Sequence, residues 1–269
     1  MHRNEPSGDT STRFDRQAFE RMLRRTSILR DWFQPTLEGA ENIPASGGAL
    51  LVSNHGNFGL DLPVLIGLIH ERCGRVLRSL GDRVVFAAPL LRDLAQDMGI
   101  IEGEPEATIR LLEDDQLVLV YPGGAKEALS APEDAYRLQW EGSRGFIRTA
   151  LRAQRPIIPV AGIGNEELYV QVVPQDRVRK SGVGRLISQL LGEKYVMPIY
   201  MGLGILPFPT ELHYIVGEPI FLPHGPEAAD DPEIVAELHE QVTETTQQLI
   251  YRGLDERRQS TPTSPPRQR

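Results

Sequence analysis

The chain has 269 residues, of which 40% are hydrophobic and 25% are charged, so it is long enough to bury a substantial core without disulfide bonds or metal ions. Its 29 basic and 37 acidic side chains give a net charge of −8, which argues against a nucleic-acid-binding protein, because such proteins usually carry a basic excess. The single cysteine, Cys73, excludes a disulfide framework and cysteine-rich zinc modules within this sequence. We therefore expect a reducing, cytoplasmic location and no nucleic-acid partner.

Neither a secretory signal nor a membrane-spanning segment is expected. The first thirty residues are polar and rich in arginine, and they lack the apolar core of a signal peptide. The nearest approach to a spanning helix, the uncharged stretch 195–210, contains three prolines and two glycines and is shorter than the roughly 18–20 apolar residues required. Composition predicts one domain over residues 13–253, between disordered polar ends at 1–12 and 254–269.

The domain is predicted to begin with a basic amphipathic helix over residues 13–33. Its apolar side chains recur near helical spacing, and six arginines against three acidic residues give this segment a local charge of +3. One interpretation is a helix that packs on the core and extends its arginines along the surface. The other, compatible with the first, is a surface helix that rests on anionic lipid.

After Pro35, short hydrophobic runs alternate with helical patterns. Buried strands are predicted at 47–54, 116–122, 155–163 and 211–220. Helices are predicted at 61–72, 88–99, 105–115, 142–154 and 231–253. This alternation, with strands that are almost continuously Val, Ile and Leu, indicates an α/β fold in which helices flank a mostly parallel or mixed central sheet.

Polar residues follow directly after the first of these strands. Asn54 and His55 end the strand, and a loop with two glycines leads to Asp61 at the start of a helix. Ligands of open α/β sheets bind beyond the carboxyl ends of strands, where an imidazole oriented by a carboxylate can act as general base on an alcohol. Taken alone, Asp61 is also typical of a helix N-cap, and His55 of a structural histidine.

A second candidate site follows the strand at 116–122. Pro122, Gly123 and Gly124 lead into a short helical pattern, and adjacent glycines can turn backbone N–H groups toward an anion. Lys126 would add a positive charge. The alternative is a tight strand-to-helix turn with an exposed lysine.

Signatures of several other enzyme classes are absent from the sequence. It has no Gly-x-Ser-x-Gly elbow, no P-loop and no complete dinucleotide-binding fingerprint. We expect no metal site, because the remaining histidines show no metal-ligand spacing: His2, His70, His213, His224 and His239.

Three blocks in this order resemble the glycerolipid acyltransferase superfamily, which includes lysophospholipid acyltransferases. They read SNHGNFGLD, then YPGGAKEAL about seventy residues later, then RGFIRTALRAQRPIIPV, and the resemblance covers residues 35–220. It implies transfer of a fatty acyl group from acyl-CoA or acyl-carrier protein to the hydroxyl of a glycerolipid or other lipid alcohol, with no other cofactor.

The resemblance also implies roles for particular residues. His55 and Asp61 fall on the catalytic histidine and aspartate, although five residues separate them where four are usual. Gly123 and Lys126 replace a usual glutamate and arginine, and this pattern is similar to the diacylglycerol-acyltransferase and phytyl-ester-synthase-like branch, which suggests a neutral acceptor. The substrate-binding residues carried over from the three blocks are Asn54, Pro122, Gly123, Gly124, Lys126, Glu127, Arg144 and Pro159.

The implied mechanism uses His55 as general base, Asp61 to orient its ring, and no covalent intermediate. Because the acceptor is a lipid, we expect peripheral membrane attachment through the helix at 13–33 and the apolar run 196–209. Two alternatives stay open: a non-catalytic lipid- or acyl-binding protein on the same scaffold, and an esterase or thioesterase in which water replaces the alcohol.

Overall fold

A seven-stranded sheet forms the centre of the computed structural model, which describes residues 14–87, 89–192, 196–204 and 206–260. Its strands are β1 (Thr36–Glu38), β2 (Ala49–Ser53), β3 (Leu77–Gly81), β4 (Ile100–Glu102), β5 (Leu117–Val120), β6 (Ile157–Ile163) and β9 (His213–Val216). The spatial order is β1-β9-β6-β2-β5-β3-β4, and every neighbouring pair is parallel except β6 with β9. The predicted α/β class with a mostly parallel or mixed sheet is confirmed.

Two further strands, β7 (Val170–Val173) and β8 (Ile199–Met201), pair antiparallel with each other in a separate two-stranded sheet. The helices are α1 (Arg16–Thr26), α2 (Ile28–Phe33), α3 (Leu62–Cys73), α4 (Arg83–Ala87), α5 (Pro89–Asp97), α6 (Pro105–Glu113), α7 (Gly124–Ala128), α8 (Gly145–Ala153), α9 (Gln175–Lys180), α10 (Gly182–Leu191) and α11 (Pro232–Ser260). Helices α9 and α10 lie in the connection between β7 and β8.

Both faces of the large sheet are covered, which explains why its central strands are continuously apolar. All five residues of β2 are buried: Ala49 and Leu51 contribute to one hydrophobic cluster, while Leu50 and Val52 contribute to the other. Helices α1 and α3 pack in the first cluster, and α6, α8 and α11 pack in the second. The sheet therefore presents only its strand ends to ligands.

The predicted helix at 13–33 is two helices, α1 and α2, that meet at Ser27. Phe19 and Met22 of α1 are buried, whereas the arginines at the far side of α1 are exposed, so this segment packs on the core as one interpretation proposed. No helix in the described part of the chain is both long and apolar enough to cross a bilayer. Contact of α1 and α2 with lipid stays a prediction.

Helix α11 continues to Ser260, seven residues beyond the predicted domain boundary at 253. The extension is held by packing of Leu254 in a small apolar cluster and by Arg257, whose Nη1 and Nη2 lie 2.7 and 2.5 Å from the two carboxylate oxygens of Glu167. Residues 254–260 therefore belong to the folded domain rather than to a disordered tail. The predicted disordered segment 1–12, residues 261–269 of the predicted disordered tail 254–269, and residue 205 of the apolar run 196–209 lie outside the described residues.

Candidate active site

Asn54 and His55 leave the carboxyl end of β2 between its two parallel neighbours, β5 and β6. The buried Asn54 amide accepts from the Gly162 N–H at 2.8 Å and donates to the Gly162 carbonyl at 2.9 Å. These two hydrogen bonds join the end of β2 to β6. Because both its polar ends are engaged there, Asn54 shapes the site rather than offering a free group to a substrate.

The His55 ring is partly exposed beyond the strand ends, and its Nδ1 lies 2.7 Å from the Gly56 carbonyl oxygen. A carbonyl can only accept, so Nδ1 carries the hydrogen in this contact and the neutral ring presents an unprotonated Nε2. Burial lowers the pKa of His55, although the bond to Gly56 opposes this shift. The ring packs against Tyr121, with centroids 4.5 Å apart. The lowered pKa favours the neutral form of the ring, in which Nε2 can accept a proton.

The expected hydrogen bond between His55 and Asp61 is not formed between these two described residues. Asp61 Oδ2 instead accepts from the Tyr214 hydroxyl at 3.4 Å, and Oδ1 is buried without a hydrogen-bond partner among the described residues. The intervening loop bends through left-handed conformations at Phe58 (φ 58°) and Gly59 (φ 65°). This bend carries the Asp61 carboxylate beneath Gly56, where an added Cβ would lie 2.7 Å from Oδ1. The carboxylate therefore lies against Gly56 without a hydrogen bond to the imidazole ring among the described residues.

The Asp61 carboxylate is also not a helix cap. It precedes α3, but its side chain makes no capping bond to the first N–H groups of that helix. Burial raises the pKa of Asp61 to about 6, and the neighbouring Asn165 and Tyr214 side chains offset part of this effect. A carboxylate buried without a cap or a cation has no evident purpose in stabilising the fold, which favours a functional role.

The turn after β5 places the acidic residue Glu127 next to His55, whereas the basic residue Lys126 lies elsewhere. Glu127, in α7, is buried, and its carboxylate accepts from the backbone N–H of His55 at 3.1 Å and of Gln139 at 2.8 Å. Gly123 makes this possible, because a Cβ there would lie 2.2 Å from Glu127 Cδ. Burial raises the pKa of Glu127 to about 7. Glu127 thus joins the two predicted sites through the backbone of His55, and its predicted contact with substrate stays a prediction.

The predicted anion cradle is only partly formed. The Gly124 N–H donates to the Tyr121 carbonyl at 3.0 Å, so it is not open to a ligand. Lys126 points to the surface, where its Nζ lies 3.3 Å from Glu141 Oε2 and both side chains are exposed. Lys126, which was expected to bind a phosphate, therefore forms an ion pair at the surface.

The remaining predicted binding residues fall at different depths. Pro122 is half-buried directly after β5, next to the turn that carries Glu127. Pro159 is buried inside β6 beside Val52, so it belongs to the sheet rather than to an open pocket wall. Arg144 is exposed at the start of α8. Of the predicted set, the structure brings together His55, Asp61, Asn54, Pro122, Gly123, Gly124 and Glu127.

A third acid reaches the same edge from the loop after β6. Glu166 Oε2 accepts from the Tyr136 N–H at 2.9 Å, and Oε1 lies 3.5 Å from Asn54 Nδ2. Burial raises the pKa of Glu166 to about 7, and the negative charges of Glu127 and Asp61 add to this rise. Within the described residues, none of these three carboxyl groups is paired with a cation. Sequence analysis missed Glu166, although it follows a buried strand whose neighbours end at the same edge.

One group of potential metal ligands, Glu38, His213 and Glu256, lies at the surface on β1, β9 and α11. Arg252 Nη2 lies 2.8 Å from Glu38 Oε1, and Arg252 Nε lies 3.7 Å from Glu256 Oε1. The arginine makes this cluster an ion-pair network, and it is separate in the fold from His55.

Comparison with known families gives a match to a model described as diacylglycerol acyltransferase over residues 64–259. The matched segment includes the Gly123–Gly124 turn, Glu127 and Arg144. His55 and Asp61 lie just before it, so their roles depend on the geometry described above.

Two relatives are about one-third identical to the chain over the aligned residues. An uncharacterized protein of Mycobacterium tuberculosis is 35% identical over 240 residues, which cover 86% of this chain and 64% of that protein. A human protein named "DGAT1/2-independent enzyme synthesizing storage lipids" is 31% identical over 223 residues, which cover 81% of this chain and 61% of that protein. The chain therefore matches less than two thirds of the length of these relatives.

Among solved structures, the chain is similar to the 1-acyl-sn-glycerophosphate acyltransferase PlsC of Thermotoga maritima. The TM-score is 0.56 at 15% sequence identity, and the match covers 91% of this chain and 81% of that one. At this identity the likeness supports the fold.

Proposed function

Because the chain belongs to the diacylglycerol acyltransferase family, we propose that it transfers a fatty acyl group from an acyl thioester to the hydroxyl of a lipid alcohol. The observation that carries this proposal is the His55 imidazole. Its Nδ1 is directed at the Gly56 carbonyl, and its Nε2 is left as a base at the open edge of the sheet.

In the proposed reaction, Nε2 of His55 takes the proton of the acceptor hydroxyl as that oxygen attacks the thioester carbonyl. The tetrahedral intermediate then expels the thiolate, which receives the proton from the imidazolium. One C–O bond forms, one C–S bond breaks, and the products are an ester and a free thiol. No covalent enzyme intermediate is required, and acyl-CoA or acyl-carrier protein would serve equally as donor.

The two nearby acids support His55 in different ways in this mechanism. Glu127 holds the backbone of His55 in place, and Gly56 fixes the ring orientation that a triad aspartate would otherwise provide. Asp61, beneath Gly56, supplies negative charge that favours the imidazolium formed during proton transfer. In place of a direct His–Asp hydrogen bond, the Asp61 carboxylate would act electrostatically on the imidazole from beside Gly56.

We propose a neutral lipid alcohol as acceptor. The edge around His55 carries the carboxyl groups of Asp61, Glu127 and Glu166, while Lys126 is paired with Glu141 at the surface. A phosphate-bearing acceptor would meet the negative charge of Asp61 there, together with that of the ionised fraction of Glu127 and Glu166, and a hydroxyl on an uncharged headgroup would not be repelled.

We also propose that the protein approaches its acceptor at a membrane surface. Ile28 and Trp32 of α2 are exposed, and Trp32 Nε1 donates to the Pro207 carbonyl at 3.3 Å, which joins α2 to the apolar run 196–209. Exposed apolar side chains continue along that run, including Met197, Ile199 and Met201.

The test is transfer by the purified full chain from labelled long-chain acyl-CoA or acyl-carrier protein to diacylglycerol or lysophosphatidate. We expect ester formation that depends on the neutral acceptor and that falls by about 10²–10⁴-fold in His55→Ala. His224→Ala is the matched control, because its ring makes no hydrogen bond among the described residues. Unchanged transfer in His55→Ala would refute the mechanism. Free fatty acid without acceptor would indicate a thioesterase, and acyl binding without turnover would indicate a binding protein.

A further inference from the structure

The connection between β7 and β8 carries an apolar helix face that no other part of the described chain covers. In α10, Val183, Leu186 and Leu190 lie at helical spacings of three and four residues, so their side chains share one face. They are 68, 56 and 73% exposed, respectively. Leaving three large apolar side chains on one face in water is unfavourable, and such a face usually marks an interaction surface.

Basic side chains are concentrated on α10 and on the preceding helix, α9. Residues 174–192, which we call the helical insert, contain four basic residues and one acidic residue, a balance of +3 in a chain whose net charge is −8. The basic residues are exposed: Arg177, Arg179, Lys180 and Arg185. The one acid, Asp176, lies 3.4 Å from Lys180.

This combination fits an anionic lipid surface. Apolar side chains of an interfacial helix enter the acyl boundary, while arginine and lysine extend their alkyl chains and place their charges among the headgroups. The apolar surface also continues onto the small sheet, where Val170, Val172, Ile199 and Met201 alternate outward along the two strands. A basic amphipathic helix beside an exposed apolar sheet is typical of a protein that lies on a bilayer.

The helical insert is connected to the loop between His55 and Asp61. Phe58, in the left-handed turn of that loop, packs against Tyr200 of β8 and Tyr169 just before β7, with ring centroids 4.8 and 5.6 Å apart. The small sheet that bears the insert therefore borders the active edge directly.

We propose that the helical insert is the principal docking surface for anionic bilayers, and that it brings the loop after His55 to the lipid surface. The reason for membrane docking, which is access to a lipid acceptor, rests on the proposed acyltransferase function. Binding itself is independent of catalysis. It shares Ile199 and Met201 with the run 196–209 and adds the two helices α9 and α10 as a contact separate from α1 and α2.

The test is flotation of the purified full chain with vesicles of phosphatidylcholine alone or mixed with phosphatidylglycerol. Val183→Ser/Leu186→Ser/Leu190→Ser should weaken binding by about tenfold or more. Arg177→Gln/Arg185→Gln should weaken it by about fivefold per charge on anionic vesicles and little on neutral ones. The matched controls are Phe221→Ser, which removes an exposed aromatic outside the insert, and Arg92→Gln/Arg258→Gln, which removes the same charge elsewhere.

Wild-type binding by both insert variants would overturn the proposal, as would loss of binding only in Ile28→Ser/Trp32→Ser. Circular dichroism and thermal unfolding verify that each variant is folded. Activity toward substrates in detergent micelles separates the two proposals. Insert-dependent flotation without His55-dependent turnover supports docking and refutes the acyltransferase, whereas turnover without insert-dependent flotation does the reverse.

Discussion

The carboxylate of Glu127 accepts a hydrogen bond from the backbone N–H of His55 at 3.1 Å, so helix α7, which follows β5, holds a residue two positions beyond the end of β2. The two motifs of the sequence, seventy-two positions apart at these residues, meet through this hydrogen bond. A buried acid that binds two N–H donors is sensitive to any change in its acceptor atoms. The following predictions begin with this residue.

Glu127→Gln should destabilise the protein and reduce transfer activity. A glutamine can face only one of the two N–H groups of His55 and Gln139 with an acceptor, so the other is left unsatisfied, at a cost of about 1–3 kcal/mol. Urea unfolding at acidic pH and kcat/KM measure the two effects. Glu141→Gln, an exposed acid nearby, should change little, and a Glu127→Gln protein as stable and active as wild type would contradict the positioning role.

The stability advantage of wild type over Glu127→Gln should shrink as pH rises from about 4.5 to about 7. The folded-state pKa of Glu127 is raised to about 7, so in this window the folded state retains a proton that the unfolded state has lost. Stability then falls with rising pH, by at most about 1.4 kcal/mol per pH unit for one group. Comparing the two proteins by urea unfolding across this range cancels the opposing contributions of other groups, such as His55. A constant difference across the range would disprove the raised pKa.

Asp61→Asn should have opposite effects on stability and activity at pH 7.5. Its pKa of about 6 means that wild type carries a costly buried charge there, so the amide should stabilise the fold by about 1–3 kcal/mol. Activity should fall about tenfold, because the imidazolium loses its negative neighbour. The stability difference should shrink as the pH falls below about 6 and vanish only below about 3.8, the ordinary pKa of this carboxyl group, where both states are protonated. A loss of stability with unchanged kcat/KM would instead indicate a structural residue.

Tyr214→Phe should shift the acidic limb of the kcat/KM profile upward. The Tyr214 hydroxyl donates to Asp61 Oδ2 and thereby lowers the pKa of that carboxyl group. Without it, ionisation of Asp61 should require a pH higher by about half to one unit. A pH profile of wild type and variant measures the shift. An unmoved limb would mean that ionisation of Asp61 does not control activity.

Gly123→Ala should be far more damaging than Gly145→Ala. A methyl group at position 123 would lie 2.2 Å from Glu127 Cδ, which forces the acid away from His55 and costs about 1–3 kcal/mol. Position 145, in the first turn of α8, has no heavy atom within 4 Å of an added Cβ. Thermal unfolding and activity of both variants provide the comparison, and equal effects would exclude the proposed need for space at Gly123.

The sequence predicted the strands that are buried on both faces, because β2, β5 and β6 read as unbroken apolar runs. It missed β3, since Arg78 interrupts the run, and the structure buries that arginine by binding its Nε to the Gly99 carbonyl at 2.7 Å. Strands β1 and β4 have three residues each, too few to show a period. Long buried strands are readable from residue type, whereas short or polar ones depend on tertiary partners.

The same limit applies to the site. His55 was identifiable because it follows a buried strand, whereas Glu127 was identified only through the resemblance of the second block to the acyltransferase family. The direction of Glu127 depends on the space beside Gly123, and the missing hydrogen bond between His55 and Asp61 depends on the left-handed backbone at Phe58. Residue types alone do not specify a left-handed turn at a phenylalanine. The residues of the site were thus largely predictable, and their mutual contacts were not.

The ion pair between Arg257 and Glu167 links the last turns of helix α11 to the loop after β6. Glu167 also accepts from the Tyr136 hydroxyl at 2.8 Å, and that hydroxyl accepts from the Gly164 N–H at 2.8 Å, two residues before Glu166. A protein shortened at residue 253, where composition alone would end the domain, would lose the first member of this chain. Removal of these polar residues would therefore weaken the support of the loop that carries Glu166 to the site, although none of the removed residues lies in the site itself.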